Sequence, residues 1–160
     1  MVEEVTENLT YRPRIVADPT YVQALGQAFN NYTYLEWVVI WTIVRLSSDG
    51  FDSVPKGKHA TGGVIARALE KAIESTTPPL EDGLRRRLLT FYEAFDDALD
   101  SRNNLLHAHP FTAPDGAQQL LGSGHLEWPI ETVHEAAKLF EEAAIMGNDI
   151  FYGDLAKARP

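Results

Sequence analysis

The sequence predicts an all-α protein, a four- to five-helix up-and-down bundle with a short hairpin or loop excursion before its last helix. Two observations predict it. Apolar residues recur at spacings of three and four in four separate stretches, and each stretch is bounded by capping or breaking residues. At 160 residues, with no repeat and no low-complexity segment, the chain is the size of one domain. We expect an N-terminal arm over 1–17 and a single helical domain over 18–157.

The first helix starts at Asp18-Pro19, where Asp can cap and Pro suits the first turn. Its stripe reads Val22, Leu25, Phe29, Tyr32, Leu35, Val39, Ile43 and Leu46, and Asp49-Gly50 stops it. Thr61 caps a second helix to about Ser75, with Ile65, Leu69 and Ile73 inward. Thr77-Pro78-Pro79 breaks the chain and starts a third helix, expected from about Leu80 to Ala108. Its stripe is Leu84, Leu88, Phe91, Phe95, Ala98, Arg102 and Leu105. Pro110 ends that helix, and Ala113-Pro114-Asp115-Gly116 marks a turn in the excursion that follows. The last helix follows Pro129, with Val133, Ala137, Phe140 and Ala144 inward and fraying expected beyond Asp154.

Composition narrows the function. The net charge is −9, so broad phosphate-driven coating of nucleic acid is excluded and any such chemistry needs a small, locally basic cleft. The triplet Arg85-Arg86-Arg87 spreads around a helix and reads as a solvated face. With no cysteine there is no disulfide framework and no thiol nucleophile, which suits a reducing compartment. The beginning of the chain is acidic, without the apolar core of a signal peptide. The most apolar stretch, Tyr34 to Leu46, is too short to span a membrane and contains Glu36 and Arg45. A cytoplasmic address and no membrane partner are expected.

One member of the third stripe is out of place. Arg102 stands where the spacing calls for an apolar residue, so its guanidinium points at a core or an interface. There it needs an anionic or strongly accepting partner, because an unpaired buried charge is costly. Around it the chain reads Ser101-Arg102-Asn103-Asn104-Leu105-Leu106-His107-Ala108-His109-Pro110. Asn103 and His107, four apart, share a helix face and can hydrogen-bond. With nine arginines, five histidines and six asparagines, an Arg-Asn pair with His at this spacing is expected by chance about 0.01 times.

This run resembles the HEPN family (higher eukaryotes and prokaryotes nucleotide-binding). Its motif is an arginine, a polar residue, and a histidine after four to six residues intervening from the arginine, on a late helix of a small bundle. Arg102, Asn103 and His107 match it; His109 also falls within the spacing, and Ala108-His109-Pro110 replaces the glycine that many nuclease members carry there. The resemblance implies a metal-independent endoribonuclease of toxin or phage-defence type, without cofactor or metal, acting on RNA as a homodimer with a composite active site. It also implies a neutralising antitoxin protein as partner. Arg102 would stabilise the phosphorane, His107 would move the proton, and Asn103 would orient both. The products would be a 2′,3′-cyclic phosphate and a 5′-hydroxyl. The alternative is a non-catalytic module of the same fold that binds a nucleotide or a partner protein.

Other polar residues carry less. Glu36 sits among Leu35, Trp37 and Val38 and is expected to pair with an arginine, Arg102 among the candidates, or to be a peripheral acid of the site. Glu131 and His134 have the spacing of a carboxylate di-metal motif, but no second copy exists. His59 and His125 fall in loops and read as surface residues. The cluster Tyr32, Tyr34, Trp37 and Trp41 reads as core or dimer seam, and Gly62-Gly63 lacks the lysine of a phosphate loop.

Overall fold

The computed structural model describes residues 17–57 and 60–158, so most of the expected arm, and His59, lie outside the described residues. The described residues are mostly helical, with four main helices and one small three-stranded antiparallel sheet among them. The hairpin or loop excursion expected before the last helix is a hairpin of regular strands with a third strand added, so the chain is a mostly helical bundle and not purely α. No described helix is long and apolar enough to cross a membrane.

Helix α1 spans Pro19–Leu46, and the Asp18 side chain caps it by accepting from the Tyr21 amide at 2.9 Å. A short 3-10 turn, Gly50–Ser53, follows. Helix α2 spans Gly62–Ser75 and buries Ile65, Leu69 and Ile73. Helix α3 spans Asp82–Leu106, starting two residues later and ending two earlier than expected. Thr77-Pro78 is a cis peptide bond, and the cap is Glu81, not Thr77. Its carboxylate accepts from the amides of Gly83 (2.9 Å) and Leu84 (3.1 Å), two of the donors that a helix start leaves without an intrahelical partner.

Strands β1 (His109–Thr112), β2 (Gln118–Leu121) and β3 (Glu127–Trp128) lie in the order β1-β2-β3, with Pro110 opposite Leu120 and Leu120 opposite Trp128. Gly116, at φ +85°, supplies the left-handed residue of the β1–β2 turn. One side chain ties this sheet to the bundle: the Tyr21 hydroxyl donates to the Trp128 carbonyl at 2.6 Å and accepts from the Leu120 amide at 3.1 Å. Helix α4 spans Ile130–Asn148 and continues through a π-helical segment, Asp149–Leu155, and a last turn, Ala156–Ala158. Helical backbone therefore extends past Asp154, where fraying is expected.

The core is one cluster built from α1, α2, α3 and α4, centred on Tyr32, Phe91, Phe95 and Phe140. Gly147 marks its tightest point. A Cβ there would run into the Phe91 ring, 2.6 Å from its Cε2 and closer still to Cζ, and lie 2.7 Å from Val38 Cγ1, so α1, α3 and α4 meet only because that side chain is missing. The stripe of α1 is buried as expected at Tyr32, Leu35, Val39, Ile43 and Leu46 and is rotated only in the first turns of the helix. Ala24 and Ala28 are buried while Val22 and Phe29 are 49% and 54% exposed, since small residues let neighbouring backbones approach.

Candidate active site

Exposed Val22 and Phe29 flank the residue that breaks the α3 stripe. With Leu25 of α1, Leu105 and Leu106 of α3 and Leu120 of β2, they line a cleft of about 420 Å³ that also exposes Arg102. Leu106 is 47% exposed at its edge. An apolar collar around a single cation is what this end of the bundle presents to solvent.

Arg102 is half-buried, and its environment is specific. Its guanidinium carbon lies 5.2 Å from the centroid of the Tyr32 ring, within the range of a cation–π contact. One terminal nitrogen donates to Asn103 Oδ1 at 2.9 Å. Its Nε is buried and has no hydrogen-bond partner among the described residues. Ion pairs among the described residues include Lys56–Asp52, Arg87–Asp154 and Lys138–Glu142, and none of these includes Arg102. The described residues thus supply an aromatic floor and one amide acceptor, but no carboxylate.

Glu36 does not take that role. It is half-buried and accepts from the Tyr32 hydroxyl at 3.1 Å, so Tyr32 stands between the acid and the guanidinium. Burial, with the nearby Glu36 carboxylate adding to it, pushes the Tyr32 phenol far above its usual range, and Arg102 opposes this only partly. Tyr32 therefore stays a neutral donor throughout the physiological range.

The Asn103–His107 side-chain contact expected from their spacing is absent among the described residues. Asn103 turns to Arg102 instead, and the link to His107 runs through backbone, the His107 amide donating to the Asn103 carbonyl at 3.1 Å. The helix ends one residue before His107, which occupies the cap position at φ −92°, ψ 2°. That leaves it outside the regular helical array in which residues four apart face each other. His107 and His109, the latter on β1, are both exposed and neither lines the Arg102 cleft. The fold thus joins Arg102 to Asn103 and places both histidines at the nearby end of the helix, facing solvent.

Among the described residues no group of three or more His, Asp or Glu side chains is arranged to hold a metal ion, and Glu131 and His134 are exposed on α4. His125 is exposed in the Ser123–His125 turn. Sequence reasoning missed Val22, Phe29 and Leu106 as surface residues of the site. The available signal was the pair Ala24 and Ala28, which fit the inner face of α1 better than Val22 and Phe29 do.

The class these observations define is a helical bundle with a small sheet packed at one end and, beside it, a half-buried arginine without a carboxylate partner among the described residues. No known family model, no curated protein and no solved structure matches the chain.

Proposed function

We propose that the chain is a HEPN-like, metal-independent endoribonuclease of toxin or defence type, active as a homodimer whose active site combines the Arg102 ends of two copies. The observation that carries this reading is Arg102 itself: half-buried, oriented by Asn103 and lacking any anionic partner among the described residues. A half-buried guanidinium that no carboxylate of the described residues engages, beside an exposed apolar collar, is suited to a phosphate brought to a contact between two protein surfaces. The exposed Val22, Phe29 and Leu106 would be covered in that contact.

The chemistry follows from the residue types. RNA carries its own nucleophile. A histidine takes the proton of the 2′-hydroxyl, the 2′-oxygen attacks phosphorus, and the bond to the 5′-oxygen breaks. The histidine of the second copy returns a proton to the departing 5′-oxygen. A 2′,3′-cyclic phosphate and a 5′-hydroxyl result. Arg102 stabilises the extra negative charge of the phosphorane. His107 is the proton carrier in this scheme, because it caps the helix that carries Arg102 and follows it with the shorter of the two spacings. A cytoplasmic setting and a neutralising antitoxin protein belong to the same reading.

Two observations favour a second reading. His107 and His109 do not line the cleft that Arg102 occupies, and the chain carries a net charge of −9. A non-catalytic module that holds a nucleotide phosphate or a partner's carboxylate on Arg102 would have both features. Cleavage of end-labelled RNA in excess EDTA separates the two. The parent is expected to cut and leave cyclic-phosphate ends, while Arg102→Ala and His107→Ala, with fold and oligomeric state unchanged, each lose about 100-fold or more. No cleavage, or equal cleavage by all three proteins, would overturn the nuclease and leave the binding module.

A further inference from the structure

A second surface, along the C-terminal half of α1, has the opposite chemistry. Two of the chain's three tryptophans, Trp37 and Trp41, stand there with Tyr34, facing Asn148, Phe151 and Tyr152 across a groove of about 310 Å³. Tyr34, Trp37 and Tyr152 are 48%, 52% and 72% exposed, and Phe51, against Trp41, is 51% exposed. Of the expected aromatic cluster only Tyr32 belongs to the core; its other members form this groove. The far wall is the π-helical segment, whose wider turn interrupts the regular helix where Phe151 and Tyr152 project. Such turns recur at functional sites.

Three features restrict what this groove can hold. Every side chain lining it is uncharged, so it offers no counter-ion to a phosphate or carboxylate. The basic residue one turn beyond Trp41, Arg45, donates to the Leu155 carbonyl at 3.3 Å. The chain as a whole carries −9, a field that attracts cations and repels nucleic acid. Finally, neighbouring rings meet nearly at right angles: 84° for Trp37–Trp41, 75° for Trp41–Phe51 and 83° for Phe151–Tyr152. A flat base is best held between parallel faces, whereas perpendicular rings form corners that surround a rounded group.

We infer that this groove is a binding site for an organic cation of the quaternary or methylated ammonium class. Aromatic faces attract such a cation through their quadrupoles, and its methyl groups make it cheap to desolvate. The Asn148 amide, which donates to the Tyr34 hydroxyl at 2.9 Å, fixes one wall of the groove. The site is separate from the Arg102 cleft and does not depend on the nuclease reading.

The test is a titration of the full chain with choline and with its uncharged isostere 3,3-dimethylbutan-1-ol, followed by tryptophan fluorescence. Saturable binding of choline, with the isostere about tenfold weaker or more, is the expected result. Trp37→Leu and Tyr152→Ala each weaken choline about tenfold; both residues are at least half exposed, so the core is not disturbed. Equal binding of the two ligands, or no response to choline, would overturn the proposal. So would a response to adenosine or cytidine in place of choline. A fluorescence change that follows protein concentration, with a matching rise in sedimentation coefficient, would assign the groove to contact between copies and equally overturn it.

Discussion

Arginines stand at both ends of α3, and the helix treats them differently. At its start Arg87 is exposed and pairs with Asp154, whereas Arg102, fifteen positions later, is half-buried with no carboxylate among the described residues. An exposed pair is solvated whether or not it forms, and typically contributes at most about 1 kcal/mol. A half-buried guanidinium has lost part of its hydration, so what replaces water around it matters more. Here the replacement is incomplete: a tyrosine ring, one amide oxygen and a bare Nε. The comparison teaches that clustering of charge, which draws the eye to Arg85–Arg87, is a poorer guide to function than a single charge the fold leaves short of partners.

The largest expected effect sharpens that contrast. In the RNA assay Arg102→Lys falls about 100-fold or more, because an ammonium cannot reproduce the planar fork of donors. Arg87→Lys leaves cleavage within about twofold, as befits a solvated pair. Equal losses would mean that the two ends of α3 act as one basic surface, and the distinction between them would fall.

The next effect tests whether the two ends are held by a common middle. Gly147 admits Phe91, near the centre of α3, against α4 and α1. Gly147→Ala is expected to cost about 1–3 kcal/mol through overpacking, read as a lower midpoint in urea denaturation with both ends of α3 affected. Tyr21→Phe acts at the Arg102 end alone. It removes the hydroxyl that serves both Trp128 and Leu120, at a cost of about 1–2 kcal/mol. Amide exchange at Leu120 should accelerate more than exchange within α2; uniform acceleration would mean that the sheet is not anchored by this one residue.

Much of this arrangement was legible in the sequence, and the misses have local causes. Asp18-Pro19 and Pro129 marked the starts of α1 and α4 because cap and turn chemistry is local. The sheet was read as a hairpin or loop excursion without its three strands, since strands of two to four residues carry little pattern and these are anchored by Tyr21, about a hundred positions away. Counting only large apolar residues turned α1 towards Val22 and Phe29 and hid the inward Ala24 and Ala28. The anomaly at Arg102 was visible because it interrupts a stripe. The partner of Asn103 was not, because i to i+4 spacing assumes that the helix continues through His107, and it stops at Leu106.

The smallest effect concerns the opposite, solvated end, and pH isolates it. The amides of Gly83 and Leu84 hold the Glu81 carboxyl below the usual carboxylate range. A carboxyl whose folded pKa is depressed adds stability that is fully present above its unfolded pKa. That stability is lost as the pH falls through the folded value. Glu81→Gln should therefore lower Tm slightly at pH 7, and the gap from the parent should close on acidification below the ordinary carboxylate range. A gap that persists in acid would mean that the shape of the side chain, rather than its charge, caps α3. The RNA assay adds the contrast between the ends: because Glu81 and Arg87 lie at the start of the helix and Arg102 near its end, Glu81→Gln should leave cleavage unchanged while it lowers Tm.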